Sequence, residues 1–217
     1  DAGRLYAINT LGAALGTLLA AVALIPLFGV NGSLYLAGGV NLAIAAIAFL
    51  AFRGAEAPPA PLAAAPRAPH TPLQTYLLVI FGAIGFVSMV YQVAWIRLLI
   101  QVTGSTVYTF GLMLSVFIIG VGLGSDLCAR LLRFIPNKIL ALALVEMAAS
   151  GYALFGLSYF DRLPLVFTSL VVGVESFTGV LLVKLVINAL VLLLPTLMFG
   201  AAFPLVASVY AESAEYS

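Results

Sequence analysis

Apolar residues in this chain come in long unbroken runs. They show neither the alternation of a strand nor the one-sided stripe of a soluble helix. Leu5 to Phe28 and Ser33 to Phe52 are two such runs, separated by the turn-forming stretch Gly29-Val30-Asn31-Gly32. Tyr76 to Val102, Thr106 to Leu127, Lys138 to Phe160 and Phe177 to Tyr210 are four more. A hydrocarbon core about 30 Å thick is crossed by about 20 apolar residues in a helix. Closed barrels, the other spanning form, alternate apolar and polar positions. The pattern therefore predicts an all-α polytopic membrane protein of about six transmembrane helices.

The polar interruptions divide the chain. Arg53 to Gln74 holds Pro58, Pro59, Pro61, Pro66, Pro69 and Pro72 among alanines, with Glu56, Arg67 and His70. Such a segment reads as an extended, semi-rigid linker. The predicted organisation is a two-helix hairpin over 1–53, a linker over 54–74, and a four-helix bundle over 75–217. Within the bundle, 161–176 carries Pro164, Gly173 and Glu175 around an apolar stretch too short to span, and reads as an interfacial or re-entrant element. The last run is overlong and holds Pro195, Gly200 and Pro204, which predicts a kink, or an end near Gly200 followed by a surface helix. Two small-residue spacings, Gly12 with Gly16 and Gly120 with Gly124, are GxxxG patterns that let helix backbones approach closely. The chain opens on Asp1-Ala2-Gly3-Arg4 without a Met or a basic leader, which reads as a piece of a longer polypeptide.

Composition agrees with the pattern. Of 217 residues 64% are hydrophobic and 8% charged, with a mean hydropathy of +1.20, where a soluble domain is roughly a quarter charged. A net charge of +1 gives no reason to expect a nucleic-acid partner. The partners implied are the bilayer and either other membrane subunits or the rest of the polypeptide. Lys and Arg placement puts Arg4, Arg53, Arg67, Arg130, Arg133 and Lys138 on one side, which predicts that both termini are cytoplasmic.

Few residues could carry chemistry. No cofactor or metal is implied, because haem and most catalytic metal sites call for histidines inside the bundle, and the single histidine, His70, lies in the linker. The single cysteine, Cys128, excludes an internal disulfide. No P-loop, no dinucleotide fingerprint and no Ser-His or Cys-His pairing within the bundle can be assembled, so no catalytic residue is assigned. Intramembrane ionisable groups are costly and are functional candidates by default, which singles out Glu146, Arg97 and Lys184. Arg97 and Lys184 lie near helix ends, where they can snorkel to the headgroups. Asp126 stands four residues before Arg130, the spacing of a local ion pair. Glu146 lies too far inside its span to snorkel, so it calls for a proton, a hydrogen-bonding neighbour, or Arg97 or Lys184 as counter-ion. Asn41 suits an interhelical hydrogen bond, and Tyr91 with Trp95 suits an aromatic belt.

Four segments resemble one family. Gly3-Arg4-Leu5-Tyr6-Ala7-Ile8-Asn9-Thr10-Leu11-Gly12-Ala13 is similar to the GRLYAANTLGA stretch of spermidine synthase-like integral membrane proteins, often called fused MFS/spermidine synthase. Val90-Tyr91-Gln92-Val93-Ala94-Trp95-Ile96-Arg97-Leu98-Leu99 resembles their LVYEVVWTRLL, with Gln92 where the family often has glutamate. Gly104-Ser105-Thr106-Val107-Tyr108 with Gly120 to Ser125 fits the next hairpin, and Leu194 to Leu205 resembles LPTLLMGATFPLL. The resemblance implies a bacterial inner-membrane protein whose relatives carry a soluble aminopropyltransferase domain and polyamine chemistry. No residue of this chain matches that domain.

Three functions are consistent with this reading. The chain is a non-catalytic anchor or scaffold of a spermidine synthase-like protein, an accessory structural subunit of a larger membrane complex, or a small-solute transporter using Glu146.

Overall fold

In the computed structural model, residues 2–53 and 72–215 are described. Their elements are α1 (Ala2–Leu19), a π-helical turn (Ala20–Leu24), α2 (Ile25–Phe52), α3 (Pro72–Thr103), α4 (Val107–Leu131), a 3-10 turn (Leu132–Phe134), α5 (Lys138–Phe160), α6 (Leu163–Val171) and α7 (Phe177–Glu215). The described residues contain no strand. Five helices are long and apolar enough to cross a membrane: Asn9–Ala51, Pro72–Thr103, Val107–Phe134, Lys138–Gly156 and Phe177–Ser213. The chain is thus an all-α polytopic membrane protein. The linker prolines before Pro72, and His70, lie outside the described residues.

Local sequence explains the boundaries. Gly104 ends α3 by taking a left-handed conformation (φ 84°), its N–H bonding the Ile100 carbonyl at 2.9 Å. Thr106 caps α4, its hydroxyl accepting from the Thr109 N–H at 3.1 Å. Asn137 does the same for α5, accepting from the Leu140 N–H at 2.9 Å. Gly173, at φ 85°, turns the chain between α6 and α7.

Three sequence expectations are corrected. The linker does not extend to Gln74, because α3 begins at Pro72, a residue suited to the first turn of a helix, and Gln74 is buried. The turn expected over Gly29 to Gly32 is narrower than four residues: two helical stretches meet at a kink at Gly29 alone (φ 69°, ψ 177°), inside the apolar stretch Asn9–Ala51. Ahead of that break the π turn accompanies Pro26, which cannot donate to the Val22 carbonyl. Finally, α7 neither ends near Gly200 nor shows a non-helical residue; it runs through Pro195 and Pro204 to Glu215.

The contacts define direction. Lys184 reaches Thr109, Thr196 lies over Gly120 and Gly200 over Val121, so α4 and α7 run parallel. Tyr152 meets Val191 and Lys138 meets Glu212, so α5 runs against α7. Phe81 packs on Phe203 and Tyr91 on Phe199, so α3 also runs against it. Thr10 lies at Gly122 and Ala21 at Gly111, which sets α1 antiparallel to α4. The start of α1 and the end of α7 therefore share one end of the bundle with Arg130, Arg133 and Lys138. One core cluster joins Trp95 and Leu99 to Met113, Val116, Ile187, Val191 and Leu192. A second joins Cys128 and Leu142 to Ala202, Leu205 and Val206. The second half of α2 takes no part in either: every side chain described from Leu34 to Ala51 is exposed.

Candidate functional site: the α4–α7 seam and its flanking polar groups

Glycines bring α4 and α7 into close approach. A Cβ on Gly120 would collide with the Thr196 hydroxyl, one on Gly124 with the Leu197 carbonyl, and one on Gly200 with the Val121 carbonyl. The two helices thus touch backbone to backbone at Gly124 and Gly200, while Gly120 makes room for the Thr196 side chain, as small-residue crossings in membranes do. The opposite face of α4 receives α1: a Cβ on Gly111 would meet the Ala21 methyl at 2.6 Å, and one on Gly122 the Thr10 methyl at 2.8 Å. Gly12 and Gly16 make no such contact, with nothing within 4 Å of a Cβ at either. The face of α1 that meets α4 is Thr10, Ala14 and Ala21, because residues spaced by one and two turns share a face and Gly12 and Gly16 fall off it.

Polar groups line the same seam toward the other end. The Lys184 ammonium donates to Thr109 Oγ1 at 3.2 Å, and that oxygen lies 2.8 Å from Thr106 Oγ1. Asn188, one turn further along α7, is fully buried, and neither its Oδ1 nor its Nδ2 has a partner. Ser115 and Thr196, also buried, spend their hydroxyls on the Gly111 and Leu192 carbonyls one turn back at 2.7 and 2.8 Å.

Glu146 lies on α5, half-buried, with Oε1 enclosed and without a hydrogen bond. It forms no ion pair with Arg97 or Lys184, contrary to one sequence expectation. The reason is register. Tyr152 stands level with Val191, so Glu146 lies about 20 Å along the bundle axis from Lys184, counting 6 residues on α5 and 7 on α7 at 1.5 Å each. Arg97 is exposed near the end of α3. Gln92 is half-buried beside Tyr91, whose ring stacks on Phe199 with centroids 5.6 Å apart. Trp95 is not a surface anchor: it is buried, its ring filling the space over Gly156 and lying 5.3 Å from Phe160 and 6.1 Å from Tyr152. Asp126 and Arg130 pair at 2.8 Å, as their spacing predicts.

The charged groups therefore do not converge. Asp126 with Arg130 and Lys138 with Glu212 sit at one end, Lys184 with Thr109 toward the other, and Glu146 between them. Among the described residues no three His, Cys, Asp or Glu side chains cluster as a metal site would require. Asn188, Thr109 and Tyr152 escaped the sequence reading. The signal for the first was present in principle, since Lys184 and Asn188 are four apart in a largely apolar stretch of α7. Comparison of the chain with protein-family models, with curated proteins and with solved structures finds no match in any of the three.

Proposed function

We propose that this chain is a non-catalytic membrane domain of the spermidine synthase-like kind, an anchor or scaffold that binds further membrane segments of its own polypeptide or of partner subunits. The observation that carries the reading is the state of α2. The other long helices share a core, whereas α2 presents apolar side chains on all sides from Leu34 to Ala51, with Gly38 and Gly39 in open space. Helices associate in membranes through packing at small residues, and among the described residues no helix covers that surface. The backbone contacts of the α4–α7 seam add support, since they make a stiff support for such an element. The four resembling segments supply the family, and Lys and Arg at one end favour a cytoplasmic position for that end.

Photo-crosslinkers at Ile44 and Phe49 test the proposal in native membranes. Adducts to protein at one or both positions are expected; adducts to lipid alone at both would overturn it.

One observation favours a second reading, transport of a small solute. Glu146 carries an enclosed carboxylate oxygen without a partner, and intramembrane carboxylates mark solute and proton paths. On this reading Glu146→Gln abolishes uptake into vesicles, and unchanged flux across a broad solute panel would sink it.

A further inference from the structure

A groove of ≈ 610 Å³ runs along the outer face of α4 between α1 and α7. That volume falls within the roughly 300–1,000 Å³ of small-molecule sites. Its walls are apolar, with Leu11 and Ala14 on one side, Phe203 and Pro204 on the other, and Ile118 and Leu123 along the floor. One end is different. There Asp126 and Arg130 line the groove, paired at 2.8 Å, with 49% of the aspartate and 75% of the arginine side chain exposed. Both charges are therefore open to a ligand while neutralising each other.

Length identifies the occupant. Ile118 at the apolar end and Arg130 at the charged end are twelve residues apart, about 18 Å of helix rise. Half of a hydrocarbon core is about 15 Å. The groove thus runs from the headgroup level, in the last turns of α4, to about the middle of the membrane, the depth of one leaflet. An acyl chain lying in it needs no hydrogen bonds from the wall, and the wall offers few. A second helix would not be confined to one leaflet.

Charge identifies the headgroup. A phosphate suits the Arg130 guanidinium, but the Asp126 carboxylate beside it repels a purely anionic headgroup and attracts an ammonium. We propose that this groove is a binding site for a phospholipid with a zwitterionic aminoalcohol headgroup of the ethanolamine type. The acyl chain lies between α1 and α7, the phosphate on Arg130 and the ammonium on Asp126. The site is independent of the scaffold reading, since α2 does not line it.

The test is native mass spectrometry of the full chain, extracted in mild detergent and offered dioleoyl-phosphatidylethanolamine or dioleoyl-phosphatidylglycerol in equal amounts. A one-to-one adduct with the ethanolamine lipid is expected to survive detergent removal in preference to the glycerol lipid. Arg130→Ala and Asp126→Asn should each lower its occupancy about fivefold. Leu123→Trp, at a half-exposed position that no core cluster includes, should abolish it by filling the groove. Equal or better retention of phosphatidylglycerol, or retention unaffected by Leu123→Trp, would overturn the assignment. So would a second copy of the chain found in place of lipid.

Discussion

The hydroxyl of Tyr152 donates to the main-chain carbonyl of Val191 at 2.9 Å. That carbonyl is the one Pro195 cannot serve, because proline has no N–H to give to the residue four before it. In a membrane an unserved carbonyl costs several kcal/mol, and here a side chain from α5 replaces the missing donor. The bond also explains why α7 passes Pro195 without ending. Tyr152→Phe is expected to destabilise the bundle by about 1 kcal/mol. In a Pro195→Ala background the helix supplies its own N–H, so the same change should cost less. A double-mutant cycle of unfolding in mixed micelles checks the coupling, and equal costs in both backgrounds would refute it.

The glycines of the α4–α7 seam and those of α1 should behave differently. Gly124→Leu and Gly200→Leu force a side chain into a neighbouring backbone carbonyl, and overpacking of this kind costs about 1–3 kcal/mol or more. Gly12→Leu and Gly16→Leu meet open space, where changes stay within about 0.5 kcal/mol. Thermal inactivation of all four variants in one detergent gives the comparison.

Asn188 keeps an amide fully buried with both polar atoms unpaired. Leucine is close to it in shape and removes the desolvated group. Asn188→Leu is therefore expected to stabilise the fold by about 1–3 kcal/mol, seen as a raised melting temperature. A lowered one would show that the amide has work to do in the native protein.

Lys138 at the start of α5 pairs with Glu212 near the end of α7. Lys138 is mostly covered and Glu212 about half exposed, so the contribution should resemble that of a surface pair, about 0.5–1 kcal/mol. Lys138→Glu should destabilise by about that amount, and adding Glu212→Lys should restore the loss. Failure of the swap to rescue stability would mean the two side chains do not interact.

Much of the fold was legible because membrane insertion depends on additive properties of short windows. The extent of α5, from Lys138 to Phe160, follows from its cap and its apolar run alone. The fate of α7 did not. Its prolines argue for a break, and at Pro195 the answer is the placement of Tyr152 on another helix. Glu146 shows the same limit: the sequence names it as a costly group, but its distance from Lys184 depends on the register of α5 against α7.

By itself, then, the chain's pattern determined that it is helical, that it spans a membrane repeatedly, and roughly where each span begins and ends. Apolar length and the need to satisfy every backbone group within hydrocarbon leave little else. The tertiary structure decided which small residues are contacts. Gly12, Gly16, Gly120 and Gly124 carry identical local signals, yet the first two face open space, Gly120 faces the Thr196 side chain and Gly124 the Leu197 backbone. It also decided that Asp126 and Arg130 line one end of a groove walled by α1, α4 and α7. Both outcomes depend on the rotation and register of one helix against another, which packing sets and no single helix encodes.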